Sequence, residues 1–128
     1  MKKIIADRKG QSLVLFVLLL PILLGIMALV IDVGNALVEK NKLNNTIEII
    51  LEIAIEDKLE MTDIQNLINN NLKENINIVT INGKIITINS KETTKGIFSK
   101  ILNINGFKIE SEYTGELKNN KVIITKKK

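Results

Sequence analysis

The sequence predicts an α+β fold in which a single N-terminal transmembrane helix continues into a long stalk helix and carries a small extracytoplasmic head of two β-hairpins and short helices. The evidence is an uncharged apolar run, a helical apolar period after it, and alternating apolar patterns joined by Asn-rich turns near the C-terminus. These patterns divide the 128-residue chain into a cytoplasmic basic N-terminus (1–11), a transmembrane helix (12–32), an extracytoplasmic stalk helix (33–58) and a small α+β head (59–128).

The apolar run from Ser12 to Ile31 is long enough to cross a bilayer once. At about 1.5 Å per residue it spans about 30 Å as a helix, which is the thickness of the hydrocarbon core. Basic residues come before it, at Lys2, Lys3, Arg8 and Lys9. The sequence therefore predicts a cytoplasmic N-terminus and a head outside the membrane. A cleaved secretory signal is the rival interpretation, but its apolar core normally covers about 7–15 residues, fewer than are present here.

Four residues in or beside this run affect the shape, the packing or the membrane boundary of the helix: Pro21, Gly25, Asp32 and Gly34. Pro21 removes an intrahelical hydrogen bond, so it introduces either a simple kink or, together with Gly25, a place where another helix approaches closely. A carboxylate inside lipid is costly, which places Asp32 at the outer boundary within reach of water. Gly34 is a candidate hinge before the stalk.

The segment after the run has the period of an amphipathic helix. One face carries Ala36, Leu43, Ile47, Ile50, Leu51 and Ala54. A second face carries Glu48, Glu52 and Glu56, where like charges stacked four residues apart disfavour an isolated helix. This stripe is either solvated or faces lysines of a partner or a neighbouring copy.

The head begins with a predicted helix, for which Thr62 and Gln65 form a candidate capping box. In INIVTINGKIITIN the Asn82-Gly83 pair predicts a type I′ hairpin that pairs Val79 with Ile86. One face of this hairpin is expected to rest on the stalk helix. The segment TTKGIFSKILN predicts a short helix, and the alternation after Gly106 predicts a strand that turns at Asn119-Asn120 into a second hairpin.

Composition argues against an enzyme. The chain has no Cys and no His, so the thiolate metal site and the commonest general base are both missing. The net charge of +4 comes from scattered lysines and two clusters, the second at Lys126–Lys128, without interleaved aromatic residues for stacking on bases. The sequence therefore predicts no catalytic residue, metal ligand or cofactor, no nucleic-acid partner and no small-molecule substrate.

The order of these elements resembles the N-terminal segment of Flp pilus-assembly TadE/TadG-like proteins, and more closely the TadG-like branch. The resemblance rests on Gly10 after a basic residue, Leu19 to Pro21 inside the apolar run, Ile31 to Gly34 (I-D-V-G), and Leu43 to Asn45 in the helix that follows. It covers roughly residues 8–55, and IEIILEIA stands where the family is usually Ala-rich. It implies a single-pass component of a pilus or secretion assembly.

Processing of the kind seen in type IV pilins is a related possibility, with Gly10 ending a basic leader and cleavage before Gln11. Pilins usually carry Glu at the fifth position of the mature chain, whereas Leu15 occupies that position here. The sequence thus argues against a major polymerising pilin.

Two classes of function follow. The first is a cell-surface structural or assembly component of a Tad/Flp-type, type IV pilus-like apparatus, embedded in the cell membrane, with protein partners and as a candidate homo-oligomer. The alternative is a single-pass, membrane-anchored extracytoplasmic binding module unrelated to pili.

Overall fold

The computed structural model describes residues 2–72 and 76–127, and the side chains within those ranges from residue 8 onward. The helices and strands are α1 (Lys2–Glu56), α2 (Met61–Asn71), β1 (Ile76–Asn82), β2 (Ile85–Thr94), α3 (Ile97–Ile101), β3 (Phe107–Lys118) and β4 (Lys121–Lys126). The fold is α+β, as the sequence predicts. Of the two basic clusters, Lys128 and the side chains of Lys2 and Lys3 lie outside the described residues.

Helix α1 joins the apolar run to the head without interruption. It remains helical through Pro21 and through Gly34, where the sequence suggested a hinge. Within the described residues, α1 is the one helix long and apolar enough to cross a membrane, with a mean hydropathy of 3.2 in its most apolar window and none of that window buried. The predicted continuation of the apolar helix beyond residue 32 is confirmed.

The head contains a four-stranded antiparallel sheet in the order β1-β2-β3-β4. Both predicted hairpins are present. The predicted register of the first is wrong, because Val79 pairs with Ile88 instead of Ile86. The two-residue turn is Gly83-Lys84, and it closes one further pair, Asn82 with Ile85.

The turn chemistry explains this shift. Gly83 has φ +64° and Lys84 has no positive φ, which fits a type II′ turn with glycine first and not the predicted type I′ turn. A register change of two residues leaves every side chain on its predicted face. In the second hairpin both Asn119 (φ 52°) and Asn120 (φ 59°) are left-handed, as a type I′ turn requires.

One face of the sheet packs against the second half of α1, as predicted, and α2 lies beside α1. The core is formed by apolar side chains from both layers: Leu43, Ile47, Ile50, Leu51, Ala54, Ile55, Ile64, Ile68, Leu72, Ile86, Ile88 and Tyr113. The stalk helix is therefore part of the core of the head. Gly115 on β3 permits the close approach, since a Cβ there would lie 2.5 Å from Cδ1 of Ile55.

The predicted capping box of α2 is not formed. The N-cap is Glu60, which makes no side-chain capping hydrogen bond, and Thr62 lies inside the first turn. The connection from α1 fixes this start, because Lys58 adopts φ 51° and the N–H of Leu59 donates to the carbonyl of Ala54. Because the link is short, the N-cap of α2 falls at Glu60, two residues before Thr62, the N-cap that the capping box requires.

Candidate functional site

A long-range polar contact joins α1 to the start of α3. The carboxylate of Asp32 accepts hydrogen bonds from the backbone N–H of Ile97 at 2.7 Å, of Phe98 at 2.7 Å and of Ser99 at 3.3 Å. These N–H groups belong to the first turn of a helix and have no partner within that helix. Asp32 thus caps α3 from more than sixty residues away in sequence.

Asp32 is buried, which corrects the expectation that its carboxylate reaches water. Its exposed fraction is 2%. A buried carboxylate is costly unless hydrogen bonds replace its hydration, and backbone donors at a helix N-terminus are suited to that task. The contact therefore fixes α3 to α1 directly after the apolar run.

Gly96 makes this geometry possible. A Cβ at this position would lie 2.0–2.2 Å from the carboxylate atoms of Asp32. The backbone of Gly96 is extended (φ −108°), so space and not backbone freedom demands glycine here. By contrast, a Cβ at Gly34 would meet nothing within 4 Å.

A second polar contact between α1 and the head lies farther along the helix. We call this contact and the one at Asp32 the two polar joints of α1. The hydroxyl of Ser111 on β3 donates to Oδ1 of Asn44 at 2.5 Å. Twelve helical residues separate Asp32 from Asn44, or about 18 Å. Both polar residues belong to the elements that carry the family resemblance, and each one attaches the head to α1.

The acidic stripe divides into two parts. Glu48 is half-buried and accepts a hydrogen bond from the hydroxyl of Tyr113. Burial, and after it the Glu48 carboxylate, raises the pKa of Tyr113. Lys126 lies above the same ring, with Nζ 5.9 Å from its centroid. Glu52 and Glu56 are exposed, and their role as a partner-facing stripe stays a prediction.

The other predicted site residues lie in the first half of α1. Gly10 and Gln11 are helical and exposed, and cleavage between them stays a prediction. Pro21 and Gly25 are also within the helix, and a Cβ at Gly25 would meet nothing within 4 Å. The close approach of another helix at these two residues also stays a prediction.

The outer face of the sheet carries carboxylates with lowered pKa values. A hydrogen bond from Asn89, at 2.8 Å, is the main cause for Glu110, and Lys91 adds to it at 3.4 Å. Asn89 also lowers the pKa of Glu112, and Lys127 contributes at 3.1 Å. Asn89 on the neighbouring strand thus favours the charged form of both carboxylates. The lowered pKa values therefore have a structural explanation and do not indicate a catalytic site. No group of three or more His, Cys, Asp or Glu residues suited to a metal ion occurs in the described part of the chain.

An apolar depression lies at the far end of the head, away from the apolar run. It has a volume of about 410 Å³. Its walls come from the end of α1, the first hairpin and β3: Ala54, Ile55, Lys58, Leu59, Ile81, Gly83, Lys84, Ile86 and Leu117. It contains no carboxylate among these residues, and two lysines border it.

Sequence reasoning identified Asp32 but missed its partners. The apolar pattern of GIFSK predicts the helix α3, yet nothing local indicates which residue caps it. Gly96, directly before the helix, was the available signal. Ser111 and Asn44 were likewise visible only as a small polar residue on the inner face of a strand and a polar residue in a helix.

Residues 10–48 match the model of a family described as putative Flp pilus-assembly TadE/G-like. The match confirms the resemblance of the N-terminal segment and contains both polar joints of α1, Asp32 and Asn44. No curated protein and no solved structure matches the chain.

Proposed function

We propose that this protein, whose N-terminal segment is TadE/G-like, is a membrane-anchored structural component of a Tad/Flp-type pilus or secretion apparatus. The observation that carries the proposal is the family match at residues 10–48. The role is structural and not catalytic, in keeping with a sequence that lacks His and Cys.

The anchor in this proposal is the first half of α1. Its side chains between residues 12 and 31 are uncharged and its most apolar window is fully unburied, which suits contact with lipid. The basic residues before it support a cytoplasmic N-terminus, with the head on the opposite side of the membrane.

Protein partners in this proposal contact the side of α1 that the head leaves uncovered. Ile49 is 56% exposed and Ile53 is 37% exposed, beside the exposed carboxylates of Glu52 and Glu56. Apolar residues flanked by charges are suited to packing against another helix with complementary lysines. A second copy of the chain or a pilin-like subunit would supply such a helix.

Deletion of the gene in its native host tests the proposal. We expect the loss of surface fibres or of the secreted product, and recovery when the full chain is supplied again. Unchanged fibres and unchanged secretion would contradict an assembly role and would favour the membrane-anchored binding module.

Site-specific photocrosslinking tests the partner surface in the same cells. A photoreactive residue at Ile49 or Ile53 is expected to capture another component of the apparatus or a second copy. The matched control is the same residue at Thr80, which is exposed on β1. Equal crosslinking at all three positions would contradict the proposed surface.

The mass and the first residue of the protein from native membranes decide the processing question. A start at Met1 indicates a retained anchor with a stationary role. A start at Gln11 indicates prepilin-type cleavage and incorporation into a fibre.

A further inference from the structure

The end of the sheet that carries α3 faces the end of the apolar run. Asp32 contacts the first turn of α3, Asn44 contacts Ser111, and Ile55 packs beside Gly115. Strand β3 therefore runs in the same direction as α1, away from the apolar run. The connection between β2 and β3, which contains α3, is the part of the head nearest to that run.

This connection exposes large apolar side chains. The exposed fractions are 52% for Ile97, 72% for Ile101, 54% for Leu102 and 52% for Ile104. These values match those of the apolar run itself, where Ile26 is 53% exposed. Clustered exposure of this kind marks an interaction surface in a soluble head.

The inward side of the same helix is held against α1 by a buried residue. Ser99 is 1% exposed, and its N–H is bound to Asp32. The apolar side chains therefore cannot turn inward without breaking the cap. Lys95, Lys100 and Lys108 are exposed around the patch and complement anionic headgroups.

We propose that the segment 97–104 is a second membrane contact, which lies in the outer interface of the bilayer beside the point where α1 leaves it. The proposal rests on the anchoring of α1 proposed above. Its occupant is lipid because the patch is continuous with the apolar run: the Asp32 carboxylate that ends the run holds the first residue of α3 at 2.7 Å. The five-residue helix α3 is about 7.5 Å long, so the whole of it lies close to that boundary.

Interfacial insertion would orient the head as well as tether it. A single transmembrane helix leaves a head free to tilt, whereas a second contact at the membrane surface restricts that tilt. The outward side of α1, with Ile49 and Ile53, would then be presented to partners at a defined height above the bilayer.

Depth measurements on the full chain test the proposal. Because the protein has no native Cys, single cysteines can be introduced at Ile101, at Leu20 in the apolar run and at Thr80 on the sheet, and each can carry a spin label. The chain is reconstituted in vesicles of equal parts phosphatidylcholine and phosphatidylglycerol. The depth of each label is obtained from the ratio of its collision rates with oxygen and with a water-soluble nickel complex. The expected depth at Ile101 is about 5–10 Å below the headgroups, with Leu20 deeper and Thr80 in water.

The controls separate the two proposals. If Leu20 is in lipid and Ile101 is as accessible to nickel as Thr80, the interfacial contact is overturned and the anchor stands. If Leu20 is itself accessible to nickel, the anchor fails and the interfacial contact fails with it. Because Ile101 is 72% exposed, the labelled variant leaves the core unchanged.

Discussion

The two halves of α1 are both rich in Ile, Leu and Val, yet they are covered in opposite ways. In the bare segment, residues 12–31, Leu18 is 62% exposed and Val30 is 65% exposed. In the covered segment, residues 36–55, Ile47 and Leu51 are fully buried by the sheet and α2. The bare segment is apolar all around the helix, whereas the covered segment has an apolar face and a separate charged face. The pattern around the helix, and not its apolar content, determines whether the rest of the protein covers it.

The change from bare to covered takes place within about one helical turn. Asp32 is buried against α3, and Ala36 is 8% exposed. The polar joint at Asp32 thus marks the place where the same helix passes from the uncovered apolar run into the protein core without a break. The head consequently begins at the end of the bare segment and not at the far end of a stalk.

The sharpest contrast is expected from shortening one leucine in each segment. Leu51→Ala removes a fully buried side chain, so the free energy of unfolding of the head should fall by about 3 kcal/mol. Leu20→Ala changes a side chain outside the core and should alter it by less than about 0.5 kcal/mol. Chemical denaturation in detergent micelles, followed by the fluorescence of the single tyrosine, Tyr113, measures both. Equal losses would contradict the division of α1 into two segments.

The polar joint at Asp32 is expected to matter nearly as much. Asp32→Ala leaves the N-terminal N–H groups of α3 without acceptors in a partly buried place, which should lower the free energy of unfolding by about 2 kcal/mol. Hydrogen exchange of the amides of Ile97 and Phe98 should become faster. The control is Glu52→Ala, which removes an exposed carboxylate of the same helix. Unchanged exchange in Asp32→Ala would show that the cap does not hold α3.

A pair of glycine substitutions should have opposite signs. Gly96→Ala drives a methyl group into the carboxylate of Asp32, so a loss of about 1–2 kcal/mol is expected. Gly34→Ala meets no neighbouring atom and raises helix propensity, so a gain of up to about 1 kcal/mol is expected. Thermal unfolding of the two variants, compared with the unmodified chain, gives the sign directly. Destabilisation by Gly34→Ala would indicate that this residue serves as a hinge.

The smallest expected effect is the titration of Tyr113. Its pKa is raised in the folded chain, because burial and the Glu48 carboxylate oppose ionisation. The unfolded chain therefore loses this proton first, and stability present below about pH 10 should decline as the pH rises through the folded pKa. Denaturation series between neutral and strongly alkaline pH measure the decline. In Tyr113→Phe this part of the decline should be absent, and an identical profile would contradict the assignment.

Much of the fold could be predicted because its signals are local. The uncharged run, the helical period around Ile47 and Leu51, and the alternation in β3 each follow from residues close together in sequence. The predicted position of the first turn was wrong by one residue, because both Asn82-Gly83 and Gly83-Lys84 contain a glycine that suits a two-residue turn. Only the pairing of the whole strands decides between them.

The candidate site was less accessible to such reasoning. Asp32 was recognised because a carboxylate after an apolar run is conspicuous, but its burial depends on Ile97 and Phe98, far away in sequence. Gly96 has an ordinary extended backbone, so no turn signal marks it, and its importance comes from an atom of Asp32. Long-range hydrogen bonds of this kind leave no period in the sequence.

The distance between two labels on α1, measured in a bilayer, tests the central claim that one continuous helix serves both the membrane and the head. Spin labels at Gln11 and Ile49 occupy exposed positions near the two ends of the helix. At about 1.5 Å per residue, a continuous helix separates the two positions by about 57 Å. Pulsed electron resonance on the full chain in lipid nanodiscs should therefore give one narrow distribution near this value. A broad distribution, or one centred at a much shorter distance, would show that α1 breaks where it leaves the membrane and would contradict the account.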